Sequence, residues 1–244
     1  MKNENGTMRI AAIGDLHAST DRKMGDFPPL HDLFAEMSER ADVVALCGDL
    51  TNLGTIKEAE LLGKELQACK VPVVAVLGNH DHECGIPEEV MRVLGEAGVL
   101  FLEEQSHEIN GVGFAGVKGF AGGFDRRMLS AFGESAIKHF VEEAEIEAKA
   151  LERHLAALNC DRIVVVLHYA PIAATVEGEP PEIFPFLGSS RLAEVIDRFD
   201  VAAVFHGHAH HGSFTGRTPK GIPVYNCAQP VIKEGGKPYA VIEV

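Results

Sequence analysis

Five short apolar runs, each broken at its carboxyl end by polar residues, constrain this chain more than any other feature. They occupy residues 9–13, 43–46, 73–77, 163–167 and 201–205, and they are rich in Val and Ile. Runs of this length without polar alternation read as strands buried on both faces, so each side of their sheet must be covered. Segments with apolar residues at helical spacing supply that cover at 30–40, 56–69, 87–97, 134–158 and 191–199. Strand and helix alternate through most of the chain, which predicts an α/β fold. Residues 106–117 and 213–244 differ, with short alternating strands, an Asn110-Gly111 turn and Pro or Gly punctuation. A second sheet with antiparallel parts is expected there.

A chain of 244 residues with 46% hydrophobic content can bury a full core, and residues 1–244 are expected to form a single domain with 1–7 flexible. Neither a secretory leader nor an apolar stretch long enough to span a membrane is found, so a soluble, cytoplasmic protein is expected. Cys47, Cys69, Cys84, Cys160 and Cys227 are odd in number and never form a CxxC pair, which speaks against a disulfide framework or a zinc-thiolate site. The formal net charge of −14 opposes a polyanionic partner, which favours small substrates over nucleic acid.

The chemistry is carried by the polar residues at the ends of the apolar runs: Gly14-Asp15-Leu16-His17, Gly48-Asp49-Leu50-Thr51-Asn52, Gly78-Asn79-His80-Asp81, His168, and His206-Gly207-His208. In open α/β sheets the carboxyl ends of the strands form the ligand crevice, so these clusters should converge although they span nearly the whole chain. Asp15 with His17, and His206 with His208, are spaced by two residues, which in extended chain aims both side chains to one side. Carboxylates, imidazoles and one amide without thiolate suit Mn, Fe, Zn, Co or Ni. Asp15, His17, Asp49, Asn79, His168, His206 and His208 are too many donors for one ion, and two metals sharing the carboxylate of Asp49 account for the surplus. His82, His210 and His211 read as exposed or supporting residues. Gly111-Val112-Gly113-Phe114-Ala115-Gly116 matches a dinucleotide fingerprint but comes after a hairpin turn and leads into no helix, so it is set aside. Lys118, Arg126 and Arg127, in a glycine-rich loop at 118–133, read as surface charge by default, and a second loop at 172–190 could also rim the site.

Taken in order, Asp15-x-His17, Gly48-Asp49, Gly78-Asn79-His80-Asp81, His168 and His206-Gly207-His208 resemble the calcineurin-like metallophosphoesterases over nearly the whole chain. The resemblance implies a four-layer sandwich of two mixed β-sheets flanked by helices. It also implies one ion on Asp15, His17, Asp49 and His208, and a second on Asp49, Asn79, His168 and His206. His80 would face the substrate as the catalytic group, with Asp81 orienting it. A hydroxide bridging two divalent or mixed-valence ions (Mn, Fe or Zn) would attack the phosphorus, because such ions lower the pKa of bound water. Leu50-Thr51-Asn52-Leu53-Gly54 departs from the GDxxDRG of protein phosphatases, and Asn52 replaces the tyrosine ligand of purple acid phosphatases. The sequence GDLTNLG resembles the branch containing cyclic-nucleotide and other phosphodiesterases. A phosphodiesterase acting on a small diester is therefore the leading reading. A phosphomonoesterase on a nucleotide or metabolite and a metal-stabilised interaction module are the alternatives. A nuclease is disfavoured by the acidic balance.

Overall fold

A computed structural model of the protein describes residues 7–20 and 29–244. Residues 1–6, most of the segment expected to be flexible, lie outside the described residues. The chain runs β1 (Arg9–Ile13), α1 (Leu30–Arg40), β2 (Val43–Cys47), α2 (Ile56–Leu66), β3 (Val73–Val76), α3 (Pro87–Glu96), β4 (Val99–Phe101), β5 (His107–Ile109), β6 (Val112–Val117), α4 (Ser135–Ala156), β7 (Ile163–Leu167), α5 (Phe184–Leu187), α6 (Ser190–Ile196), β8 (Val201–His206), β9 (Thr215–Arg217), β10 (Pro223–Asn226), α7 (Gln229–Glu234) and β11 (Ala240–Glu243).

Two mixed sheets result, a five-stranded one in the order β11-β1-β2-β3-β4 and a six-stranded one in the order β5-β6-β7-β8-β10-β9. Alternate residues of each strand explain the layering. Ile10, Ala12, Val43, Ala45, Val74 and Val76 face the other sheet, where they meet Phe114, Val164, Val166, Ala203 and Phe205. Ala11, Ile13, Val44, Leu46 and Ala75 point the opposite way, onto Leu33, Phe34 and Met37 of α1 and the apolar faces of α2 and α3. On the far side Val165, Leu167 and Val204 pack on Leu151 and Leu155 of α4 and Leu192 and Ile196 of α6. Both faces of both sheets are thus covered, which is why the central strands lack alternation. The arrangement is four layers, two sheets flanked by helices.

Sequence periodicity places the long elements within a few residues, and the differences fall at short ones. β4, three residues long, escapes a period-based reading. β6 is fully buried and parallel to β7, in the body of the second sheet. Asn110 and Gly111 take φ values of 51° and 79° in the turn between β5 and β6. The tail divides between the sheets, because β11 pairs antiparallel with β1, Arg9 opposite Glu243, at the edge of the first sheet. No helix among the described residues is long and apolar enough to cross a membrane.

The site is positioned by the parallel run of β1, β2 and β3 in one sheet and β7 and β8 in the other, with all their carboxyl ends at one edge. Beyond β2 a capping box fixes the path, as Thr55 Oγ1 accepts from Glu58 N at 3.3 Å and the Glu58 carboxylate accepts from Thr55 N and Leu53 N.

Candidate metal centre

Past the ends of β1, β2 and β8 the backbone enters the left-handed region at Asp15 (φ 60°), His17 (φ 44°), Asp49 (φ 48°) and His208 (φ 70°). L-residues resist this region at roughly 1–2 kcal/mol each, and such strain persists only where the surroundings over-determine it. Here they do: Asp15 N donates to Gly48 O and His17 N to Asp49 O, both at 3.0 Å. Asp15 and His17 therefore converge through tight left-handed turns and not through the strand alternation expected from their spacing. Close approach explains the flanking glycines, since a Cβ at Gly78 would fall on the Asp49 carboxylate and one at Gly207 within 2.6 Å of Asp15 Oδ2.

Donor atoms gather in three overlapping groups, each within 4.8 Å: Asp15, His17 and His210; His17, Asp49 and His80; and Asp49, His168 and His208. His17 is shared by the first two groups and Asp49 by the last two. Asp49 Oδ2 lies 3.8 Å from His17 Nε2 and its Oδ1 lies 3.4 Å from His168 Nε2. Asn79 Oδ1 is 2.9 Å from the same His168 nitrogen. Backbone carbonyls set the tautomers. His168 Nδ1 donates to Cys47 O at 3.0 Å, which leaves its Nε2 toward Asp49, and His208 Nε2 donates to Phe186 O at 3.2 Å, which leaves its Nδ1 as a donor to a metal. Asp15 is held by His208 N at 3.0 Å and by the His210 ring at 2.9 Å.

Electrostatics favours a cation among these groups. Burial keeps His168 and His208 neutral, down to about 4 and about 3, so both rings are deprotonated at neutral pH as metal ligation requires. Burial and the neighbouring Asp15 charge push Asp49 up to about 6. Burial raises Asp15 too, but the His210 hydrogen bond and the surrounding imidazoles outweigh it and hold that carboxyl at about 2. Two crowded buried carboxylates and the buried, unpartnered Nδ1 of His17 suit a bound cation better than a metal-free core.

Two expected assignments are corrected by this geometry. His206 stands apart from the donor groups: it is fully buried, its Nδ1 lies 2.8 Å from Gly207 O and its Nε2 lies 2.8 Å from Thr175 Oγ1. Both ring nitrogens are occupied because His206 is the last residue of β8, and the chain leaves the extended path only at His208. His210, read from sequence as a supporting residue, takes the place beside Asp15. In His206-Gly207-His208-Ala209-His210 two pairs share one spacing, and the end of the strand decides between them. The second correction concerns Asp81. Its carboxylate does not touch His80; it accepts from Leu50 N, Thr51 N, Thr51 Oγ1 and Gly78 N at 2.6–3.1 Å, binding the loops after β2 and β3 together. His80 is oriented instead by Asn52 O, 2.7 Å from its Nδ1, which turns Nε2 toward the site, 4.0 Å from Asp49 Oδ2, on a side chain 41% exposed. Lys118 is committed elsewhere, paired to Glu147 at 3.4 Å.

The structure is thus a two-sheet α/β sandwich with carboxylates and imidazoles clustered at one edge, and comparison with known proteins names the family. The model of the calcineurin-like phosphoesterases matches residues 8–212, and the chain belongs to that family. A probable cyclic nucleotide phosphodiesterase from Moraxella catarrhalis is 38% identical over 88 residues, 34% of this chain and 31% of that protein. A probable glycerophosphodiester phosphodiesterase from Arcobacter nitrofigilis is 23% identical over 180 residues, 73% of this chain and 60% of that protein. The chain thus spans less than two thirds of the length of these relatives. The crystal structure of phosphopantetheinyl hydrolase from Mycobacterium tuberculosis shares the fold, with a TM-score of 0.68 at 15% identity over 96% of this chain and 95% of the other.

Proposed function

We propose that the protein is a phosphodiesterase that binds two divalent ions, one on Asp15, His17, Asp49 and His210 and the other on Asp49, Asn79, His168 and His208. The observation that carries this reading is the Asp49 carboxylate, placed with one oxygen toward His17 and the other toward His168. Divalent ions so held would supply Lewis acidity toward the phosphate and a nucleophile at neutral pH, with Mn, Fe and Zn the metals that suit these donors. The chain's own residues do the rest. Asn79 and the neutral imidazoles hold the ions without adding charge, and the two buried carboxylates offset part of theirs. His80, with Nδ1–H committed to the Asn52 carbonyl, presents Nε2 at the open side, where a protonated ring can deliver its proton to the leaving oxygen.

A small diester as substrate is supported by the names of two relatives and by the net charge of −14, which opposes a long polyanion. Purified protein loaded with manganese should hydrolyse bis(4-nitrophenyl) phosphate faster than 4-nitrophenyl phosphate, and a chelator should abolish both. A preference for the monoester would make it a phosphomonoesterase, and metal binding without turnover of either ester would make it an interaction module.

A further inference from the structure

Next to the metal donors, aromatic side chains form a connected series that the hydrolytic chemistry does not use. Tyr169, which follows His168, has its ring centroid 4.4 Å from that of His208. Phe120 lies 5.9 Å from Tyr169, Phe140 lies 5.0 Å from Phe120, and Phe186 lies 6.4 Å from Phe140. These residues come from four separate places in the chain: the loop after β6, the first turns of α4, the end of β7 and the short α5. Their burial is graded. Tyr169 is 8% exposed at the metal end, Phe120 and Phe140 are half-buried, and Phe186 is 57% exposed at the outer end.

A series serving only as core would bury its last ring, since covering a phenylalanine side chain is worth about 1.5–3 kcal/mol. Phe186 stays open although its backbone is fixed to the site, its carbonyl accepting from His208 Nε2 at 3.2 Å. The phenylalanine side chains offer no hydrogen-bonding group, and Lys118 sits 5.2 Å and 5.5 Å from the centroids of Phe120 and Tyr169 with its charge paired to Glu147. A hydrated polyol arm would gain little on such a surface, and an ammonium arm would meet the Lys118 ammonium already lying over Phe120 and Tyr169. A flat aromatic arm would gain about 1–3 kcal/mol by stacking, with little discrimination among bases.

Building on the phosphodiesterase reading, we infer that the series Tyr169, Phe120, Phe140 and Phe186 is the subsite for one organic arm of the ester, and that this arm is planar and aromatic, a nucleobase by class. The phosphate sits at the metal donors, and the base extends along the rings toward Phe186.

The inference is tested by inhibition of bis(4-nitrophenyl) phosphate hydrolysis by manganese-loaded protein, with adenosine 5′-monophosphate compared against ribose 5-phosphate. The two inhibitors carry the same phosphate and differ in the base. The wild type should bind the nucleotide roughly tenfold more tightly, about 1.4 kcal/mol. In Phe186→Ala, and independently in Phe140→Ala, that ratio should fall toward one while inhibition by ribose 5-phosphate stays within about twofold. Equal inhibition in the wild type, or a base preference retained in both variants, overturns the inference and leaves the phosphodiesterase reading standing. Metal-loaded wild type that does not hydrolyse the diester overturns that reading and the subsite with it.

Discussion

The left-handed backbone at Asp15, His17, Asp49 and His208 concentrates strain where the donors are, in residues without the freedom of glycine. That Asp15, His17, Asp49, Asn79, His168 and His208 would come together was legible in the sequence. The last pair was not, because extended-chain spacing cannot tell His206 with His208 from His208 with His210. Only the end of β8 settles which histidines leave the sheet. His210→Ala should lower bound metal by about half and kcat/KM by at least about 100-fold, whereas His206→Asn should keep its metal, with stoichiometry read by elemental analysis. Metal loss from His206→Asn equal to that from His210→Ala would reverse the reassignment. His206 carries a second prediction. Burial holds its imidazole down at about 4, well under the usual value. As pH falls below about 6.5 the unfolded chain takes up this proton and the folded protein does not, so the stability the neutral ring contributes is full above about 6.5 and is lost progressively toward pH 4. Between pH 7 and pH 5 that loss is about 2 kcal/mol. Thermal unfolding of His206→Asn should therefore lose less between those pH values than the wild type does, and an equal loss in both would show that His206 does not carry it.

At the scale of elements, the loops after β2 and β3 are held as one unit by a buried carboxylate rather than by secondary structure. Asp81 accepts from Leu50 N, Thr51 N, Thr51 Oγ1 and Gly78 N, so it fixes the path just after Asp49 and just before Asn79. The family resemblance implied that Asp81 orients His80, but the Asp81 carboxylate is taken up by these four donors while the His80 ring meets Asn52 O. Asp81→Asn removes one acceptor oxygen and sets an amide against backbone N–H groups, which should cost about 2–4 kcal/mol of stability and displace Asp49. Lower Tm and weaker metal binding are expected together. A variant with normal Tm but altered kcat would indicate contact with the substrate or with His80. Strand and helix positions were readable because period and length agree for the buried strands and for α1 to α4. β4 and β11 were not, since three- and four-residue segments carry too little period to register, and the sheet that β11 joins depends on pairing with Arg9–Ala12 more than 200 residues away.

In the whole molecule the proposed metal centre would lie across the seam between the sheets. Asp15, His17, Asp49 and Asn79 follow strands of the five-stranded sheet, while His168, His208 and His210 follow strands of the six-stranded one. Direct polar links already cross at this edge, among them Gly14 N to Cys227 O at 2.7 Å, His168 Nδ1 to Cys47 O at 3.0 Å and His208 N to Asp15 Oδ2 at 3.0 Å. Two cations there would neutralise Asp15 and Asp49, which repel one another at the edge of the five-stranded sheet, and would tie the two sheets with bonds that the unfolded chain lacks. Binding to the folded state alone stabilises it by about 2.7 kcal/mol when free metal is 100-fold above Kd. For a chain of this size each kcal/mol moves Tm by about 2–4 °C, so a chelator should lower Tm by roughly 5–10 °C and added manganese should restore it. Hydrogen exchange should then quicken at residues 14–17, 48–52, 78–82 and 207–210 on both sides of the seam, and stay unchanged in the helices on the outer layers. Loss confined to one sheet would mean that the donors do not bridge the two, and an unchanged Tm would mean that the crowded carboxylates are stable without a cation.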